Sequence, residues 1–348
     1  MLASHKIILI TTALFSIFST HQSYADTSCE IKRPIIFGGL DWDSAQFHNA
    51  VARYILEKGY SCKTDELPGS SMPILAGMVR GDIDIMMEVW PESTKEAWTK
   101  ALKSKKVVQL TPNFGNATQG WFVPRYLVEG DPKRGIKPMA PDLKHVRDLV
   151  KYKLLFKDPE EPTKGRFHNC ILGWFCEVIN NKKLVAYGLD KHFNNLRPGT
   201  GAALDAAITS SYKRGKPFVT YYWAPTWIMG TYDMIQLEEP AYNQADFEAF
   251  EAGDPKRVTA YPTVDIYKGM HTKFHDKAPQ ITKFINAYTT TAKLTSDALS
   301  YLKKKRGTSH KKAAINFLRT NPKLWKQWVS TEVATKVQQS LNKESASH

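Results

Sequence analysis

Pro34-Ile35-Ile36-Phe37-Gly38-Gly39-Leu40-Asp41-Trp42-Asp43-Ser44 reads as an apolar strand, a turn and the start of a helix. The glycines permit a tight turn, and Asp41, Asp43 or Ser44 can cap the helix that the amphipathic pattern predicts over 45–58. A short second strand follows near 63–67 and a helix near 71–80. Asp82-Ile83-Asp84-Ile85-Met86-Met87 comes next, and its apolar end predicts a buried third strand. Repeated strand, helix, strand units of this kind build a parallel sheet, so the fold class is α/β. Farther on, Pro132, Pro138 and Pro141 mark a surface loop over 131–142. Segments at 143–150, 154–156, 177–187, 200–214 and 218–222 then alternate helix and strand again, and 273–302 with 311–341 predict a helical C-terminal region.

The chain has 348 residues, more than one core of ordinary size holds, which predicts two domains or one large one. Its 42% hydrophobic and 24% charged residues exclude a largely disordered chain and a collagen-like one. A net charge of +14 permits anionic partners without demanding them. In residues 1–25, Lys6 is the lone cation, the apolar run 7–18 follows, and Ser23-Tyr24-Ala25 forms a small-residue exit, as in a cleavable secretory signal. That run is too short to span a membrane. The reading is therefore a soluble mature chain from Asp26 onward, exported to the periplasm.

Export places the four cysteines in an oxidising compartment, where an even count favours two disulfides over metal ligation. Three pairings are open. Cys29 and Cys62 each precede a predicted strand, and neighbouring parallel strands would bring them together, while Cys170 and Cys176 are close enough to close a small loop at a helix entrance. The expected bonds are Cys29–Cys62 and Cys170–Cys176.

Five of the nine tryptophans, Trp42, Trp90, Trp121, Trp174 and Trp223, fall at the ends of predicted strands or at helix entrances, where α/β sheets bind ligands. Four of them stand beside glycine or near proline, residues that fix a backbone presenting a ring. Trp98, Trp325 and Trp328 lie inside amphipathic helices and are expected in the core. Several indole faces around one cleft suit a quaternary ammonium, which has no N–H to donate and spreads its charge over methyl groups. Each desolvated face contributes about 2 kcal/mol, so three or four approach the roughly 8 kcal/mol of a micromolar site. A carboxylate on the same ligand could be received by free N–H groups at the helix start in Gly173-Trp174-Phe175-Cys176-Glu177.

That turn with Cys170 upstream, Tyr221-Tyr222-Trp223-Ala224-Pro225-Thr226-Trp227, Gly115-Asn116-Ala117-Thr118-Gln119-Gly120-Trp121, and Asp82-Ile83-Asp84 leading to Trp90 occur in order over most of the mature chain. Together they resemble the glycine betaine/proline betaine-binding proteins of ABC importers. The resemblance implies a type II periplasmic binding protein: two α/β lobes, joined by two crossover strands, that close over the ligand. It places lobe 1 at 26–122 and 261–348 and lobe 2 at 123–260, with Gly120-Trp121-Phe122-Val123-Pro124 and the region of Pro262 as crossings. It assigns Trp90, Trp174 and Trp223 to the aromatic box and the N–H groups of Phe175 and Cys176 to the ligand carboxylate. It further implies a monomer with no cofactor and no metal, the permease subunits as partner, and contact with the membrane only through them.

The sequence departs from the pattern at Thr94, where the betaine binders have a histidine. It also places two acids near the presumed pocket, Glu88 and Asp43, which would suit choline, carnitine or trimethylamine N-oxide, by pairing with a cation or accepting from a hydroxyl. Asp43 as a helix cap and Glu88 as a paired strand-end acid are the alternative readings. A secreted hydrolase with Asp82 and Asp84 as its acid pair is the competing function, for Trp-rich sites also bind sugars. The chain has no G-x-S-x-G, H-E-x-x-H or P-loop motif. His271 and His275, four apart, and the basic run Lys303-Lys304-Lys305-Arg306 with Lys311-Lys312 read as solvated surface, with no nucleic-acid partner.

Overall fold

The computed structural model describes residues 28–91, 95–304 and 308–346; the segment 1–25 read as a secretory signal, Thr94, Lys305 and Arg306 lie outside the described residues. The elements run β1 (Ile35–Leu40), α1 (Asp43–Gly59), β2 (Thr64–Gly69), α2 (Ser71–Arg80), β3 (Ile85–Val89), α3 (Lys95–Lys103), β4 (Val107–Pro124), α4 (Arg125–Glu129), β5 (Gly165–His168), α5 (Phe175–Ala186), β6 (Phe193–Leu196) and α6 (Gly201–Lys213). They continue with β7 (Val219–Ala224), α7 (Trp227–Thr231), β8 (Met234–Gln236), α8 (Gln244–Ala252), β9 (Val264–His271), α9 (Thr272–Lys277), α10 (Pro279–Ala287), α11 (Ala292–Lys304), α12 (His310–Thr320), α13 (Pro322–Trp325) and α14 (Thr331–Ala346).

One mixed sheet runs β2-β1-β3-β9-β4-β7-β5-β6, with β8 also on β4. β4 belongs to both ends of it: residues from Val107 to Ala117 pair with β9, and Thr118 to Phe122 pair with β7. Each half carries its own apolar core. The first gathers Phe37, Phe47, Ile55 and Ile285 with Phe317, Trp325 and Trp328 of the C-terminal region, and the second gathers Trp121, Phe167, Leu204 and Phe247. Trp325 and Trp328 are core residues as expected, but they do not share a helix: Trp325 ends α13 and Trp328 lies in the bend before α14.

The expected units at 34–87 are present in order, but Gly38 and Gly39 are strand residues and not the turn. Their reason is space: a Cβ on Gly38 would stand 2.7 Å from Ile74 of α2, and one on Gly39 2.8 Å from Glu66 of β2. Both disulfides form as expected. Cys29–Cys62 ties the approaches to the parallel pair β1 and β2, and Cys170–Cys176 closes the loop that enters α5. The strand expected at 154–156 is instead a turn, and the second half finds its strand in Gly165–His168.

A buried ion pair braces the second half. Lys183 Nζ, fully buried in α5, lies 2.5 Å from Glu239 Oε1 and 4.0 Å above the Tyr261 ring, while Tyr187 donates its hydroxyl to the same carboxylate. The aromatic face and the hydroxyl supply the additional partners that a desolvated pair needs.

Candidate functional site

The C-terminal ends of β1 and β3 face the loop into α5 and the end of β7 across a cavity of about 620 Å³, its mouth included. Its walls are largely indole: Trp42, Trp90, Trp98, Trp174 and Trp223, joined by Tyr221, with Leu40, Leu75 and Met86 as aliphatic floor. Trp174 stands nearly perpendicular to both neighbours, with centroids 5.3 Å from Trp42 at 75° and 5.2 Å from Trp223 at 80°. Perpendicular walls present several π faces to one cleft, an arrangement that favours a cation able to bind without hydrogen bonds.

Four of these five indoles are fastened by their N–H. Trp174 Nε1 donates to Asp41 Oδ1 at 2.7 Å, and Trp98 Nε1 to Gln109 Oε1 at 2.7 Å. Trp42 and Trp90 both donate to Glu88 Oε2, at 2.7 Å and 3.3 Å. Glu88 is 1% exposed at the buried strand β3, and burial pushes its carboxyl up to about 7 despite the two indole donors. Gly173 takes φ 93° in turning the chain toward α5, and a Cβ there would meet Ser70 Oγ at 2.6 Å. Phe175 and Cys176 open α5 and line the cavity; the N–H groups of a helix's first turn have no acceptor within the helix.

Residues 33–320 match the family described as the substrate binding domain of ABC-type glycine betaine transport systems. The chain belongs to that family. Among curated relatives it is 26% identical over 185 residues to the glycine betaine/proline betaine-binding periplasmic protein of Escherichia coli K12, covering 53% of this chain and 52% of that one. It is 32% identical over 81 residues to the glycine betaine-binding periplasmic protein OusX of Dickeya dadantii, covering 22% and 24%. The matched segments thus span about half of the first relative's length and about a quarter of the second's. In fold it resembles the glycine betaine, L-proline-binding protein of Borrelia burgdorferi (TM-score 0.70, 17% identity, 88% of this chain and 100% of that one). It also resembles an ABC-transporter choline-binding protein in complex with choline (TM-score 0.69, 16% identity, 91% and 98%). The architecture of this glycine betaine family member is accordingly the type II periplasmic binding protein fold.

Of the residues singled out in the sequence, Trp42, Trp90, Trp174, Trp223, Glu88, Phe175 and Cys176 meet at this cavity. Trp121 does not, which corrects the expectation for it. It is fully buried in the second core, 4.3 Å from the Phe167 ring, with its N–H on Asn180 Oδ1 at 2.7 Å, because α5 covers that part of β4. Asp43 is also displaced from the cavity: it sits in the first turn of α1 and faces a second, polar recess with Asp41, Asp205, Lys303 and His310, behind Trp42 and Trp223. Burial would push Asp43 up, but His310 Nε2 at 3.0 Å and Lys303 Nζ at 2.7 Å hold it below the ordinary value. It caps nothing; Trp42 is the residue before α1, without a side-chain cap. Asp205, opposite, is raised to about 6 by burial while accepting from Tyr222 and Trp227.

Tyr221, Gln119 and Trp98 are among the lining residues that were missed. Tyr221 shares a face with Trp223 because strand residues two apart point the same way, a signal present in Tyr221-Tyr222-Trp223. Gln119 accepts from the Tyr221 hydroxyl at 2.7 Å. Trp98 packs as a core residue yet turns one edge to the cavity, which no helical periodicity could separate from core.

Proposed function

We propose that this chain captures a small molecule carrying a methylated quaternary ammonium in the aromatic cavity and delivers it unchanged to the permease of an ABC importer. Glycine betaine is the leading ligand, with choline, carnitine and trimethylamine N-oxide as alternatives. The observation that carries the reading is the perpendicular wall Trp42–Trp174–Trp223 around one largely apolar cleft. The N–H groups at the start of α5 are the receptor for a ligand carboxylate. The named ligands of the family's curated relatives support the same class.

The lobes of the proposal are 26–122 with 261–348, and 123–260. The change of pairing partner along β4 supports the first crossing. Trp42 and Trp90 then belong to one lobe and Trp174 and Trp223 to the other, so ligand closes the cleft and the cost of closure enters the apparent affinity. The proposed site of action is the periplasm, after removal of 1–25, as a monomer.

The hydrolase reading lacks a positioned acid pair. Asp84 is held by Arg33 at 2.6 and 2.7 Å and accepts from the Ile36 N–H, and Asp82 is held by Arg80, both away from the cavity. Isothermal titration with glycine betaine, choline, carnitine and trimethylamine N-oxide tests the proposal. Binding of at least one in the micromolar range is expected, and no heat with any of them overturns it.

A further inference from the structure

Glu88 does more than line the cavity. Its Oε2 holds the indole N–H groups of two walls, Trp42 and Trp90, and its Oε1 is buried with no hydrogen-bond partner. The groups facing it come from several elements. From α1 come Ser44 and His48, whose Nε2 stands 3.8 Å from Oε1. Behind His48 are the Tyr288 hydroxyl, 2.8 Å from its Nδ1, and Thr295 of α11, 3.5 Å from its Nε2. Lys268 of β9 acts on His48 and is spent on Thr111 and on the carbonyls of Pro112, Asn286 and Tyr288, and burial pushes it down to about 7. Burial holds His48 down at about 3, so it is neutral at ordinary pH. Among the described residues, no lysine or arginine pairs with Glu88.

An ionised Glu88 is therefore an anion under two aromatic walls with no cation of its own. A carboxylate that accepts an indole N–H also pushes electron density into the ring, which strengthens that ring's attraction for a cation. A cation in the box would supply the missing counter-charge, in a medium where charges a few ångströms apart interact strongly.

We infer that Glu88 sets the cation affinity of the box through Trp42 and Trp90, as a positioning residue, and that binding of a permanent cation is coupled to loss of the Glu88 proton. The inference rests on the reading of the cavity as a methylated-ammonium site. In the balance of the step, the carboxylic acid O–H releases its proton to buffer as the cation enters, and no other bond is made or broken. The raised position of Glu88, about 7, supports it, because both forms are then present near neutrality. Reciprocity requires that whatever cation binding does to the proton, the proton does to cation binding.

The test is titration calorimetry of the full chain with choline and with glycine betaine, at about pH 5.5 and about pH 8, where affinity should be about tenfold weaker at the lower pH. Repeating the titration near neutrality in two buffers of different ionisation enthalpy counts the protons released, which should be a substantial fraction of one. Glu88→Gln keeps an oxygen for the indoles and removes the charge; its affinity should be low and pH-independent, and its proton count zero. Equal affinity at both pH values with no proton release in the parent protein overturns the inference, even should the variant fail to fold. A pH slope that persists in Glu88→Gln also overturns it. If neither compound, nor carnitine, binds the parent at either pH, the underlying ligand reading is what fails.

Discussion

Trp174 and Asp41 are joined by a hydrogen bond of 2.7 Å that bridges a sequence separation of 133 residues, from the entrance of α5 to the turn after β1. The bond fixes the middle wall of the aromatic cavity from the opposite side of the cleft. Burial raises Asp41 while the Trp174 N–H opposes that rise, so the two effects meet on one carboxylate. Asp41→Ala should weaken ligand binding by roughly tenfold, the value of one hydrogen bond to a charged acceptor. Asp41→Asn, which keeps an acceptor, should recover most of it. Calorimetry of both variants decides; equal losses would show that the bond does not orient the ring.

Truncating the walls should cost more than truncating the core beneath them. Trp90→Ala, Trp174→Ala or Trp223→Ala should each reduce affinity by roughly tenfold or more, from about 2 kcal/mol per face. Trp121→Phe removes the N–H held by Asn180 inside the second core and should lower the melting temperature with little change in affinity.

Gly201 is the first residue of α6, and a Cβ there would stand 2.9 Å from the Asp41 carbonyl oxygen and 3.6 Å from the Trp174 ring. Gly201→Ala should therefore wedge the cleft, lowering affinity although residue 201 does not itself line the aromatic cavity. Solution scattering with saturating ligand would show a larger radius of gyration than the parent, and an unchanged radius would refute the wedge.

The two disulfides should separate stability from binding. Cys29–Cys62 closes a loop of 33 residues and Cys170–Cys176 one of 6, so loop entropy alone predicts about 4 and about 2 kcal/mol. Replacing the first pair by serine should chiefly lower the melting temperature. Replacing the second should chiefly weaken binding, because it loosens the entrance to α5. Thermal scans and titrations on both variants are the measurements.

His48 gives a pH dependence of known sign. The unfolded chain protonates it at about 6.5, but the buried ring, desolvated and near Lys268, does so only near 3. Folding therefore loses stability from this group as pH falls through that window, and by about pH 4.5 the loss is about 3 kcal/mol. His48→Gln, which can still engage Tyr288, should show a shallower decline in urea midpoint between neutral and acid pH; parallel declines would contradict the assignment.

Much of the first half could be read directly, because β1, α1, β2 and α2 carry clean periodicities and the apolar run of β3 is bounded by charge. The reading failed where a residue's reason was non-local. Gly38 and Gly39 signalled a turn, yet they are there because α2 and β2 press on the strand. β5 has only four residues, one a glycine, too few for a period to register. Trp121 and Trp174 share similar local surroundings, a glycine on the N-terminal side, and opposite fates: α5 covers the first, while the second stands at the entrance to α5. Glu88 was visible as an acid near the site, but its two indole partners are 46 and 2 residues away, and no pattern joins them.

The placement of β9 between β3 and β4 sets an order in which the molecule can be completed. As the chain emerges from its N-terminus, β1, β2 and β3 appear early but cannot close their part of the sheet until β9 arrives. α1 likewise waits for α12 and α14, since Gly59 packs against Val333 and Val337 near the far end. The intervening stretch has its core to itself and can form while the rest is still incomplete. The half that begins first therefore finishes last, and substitutions in the C-terminal helices should delay maturation of strands laid down more than two hundred residues before them.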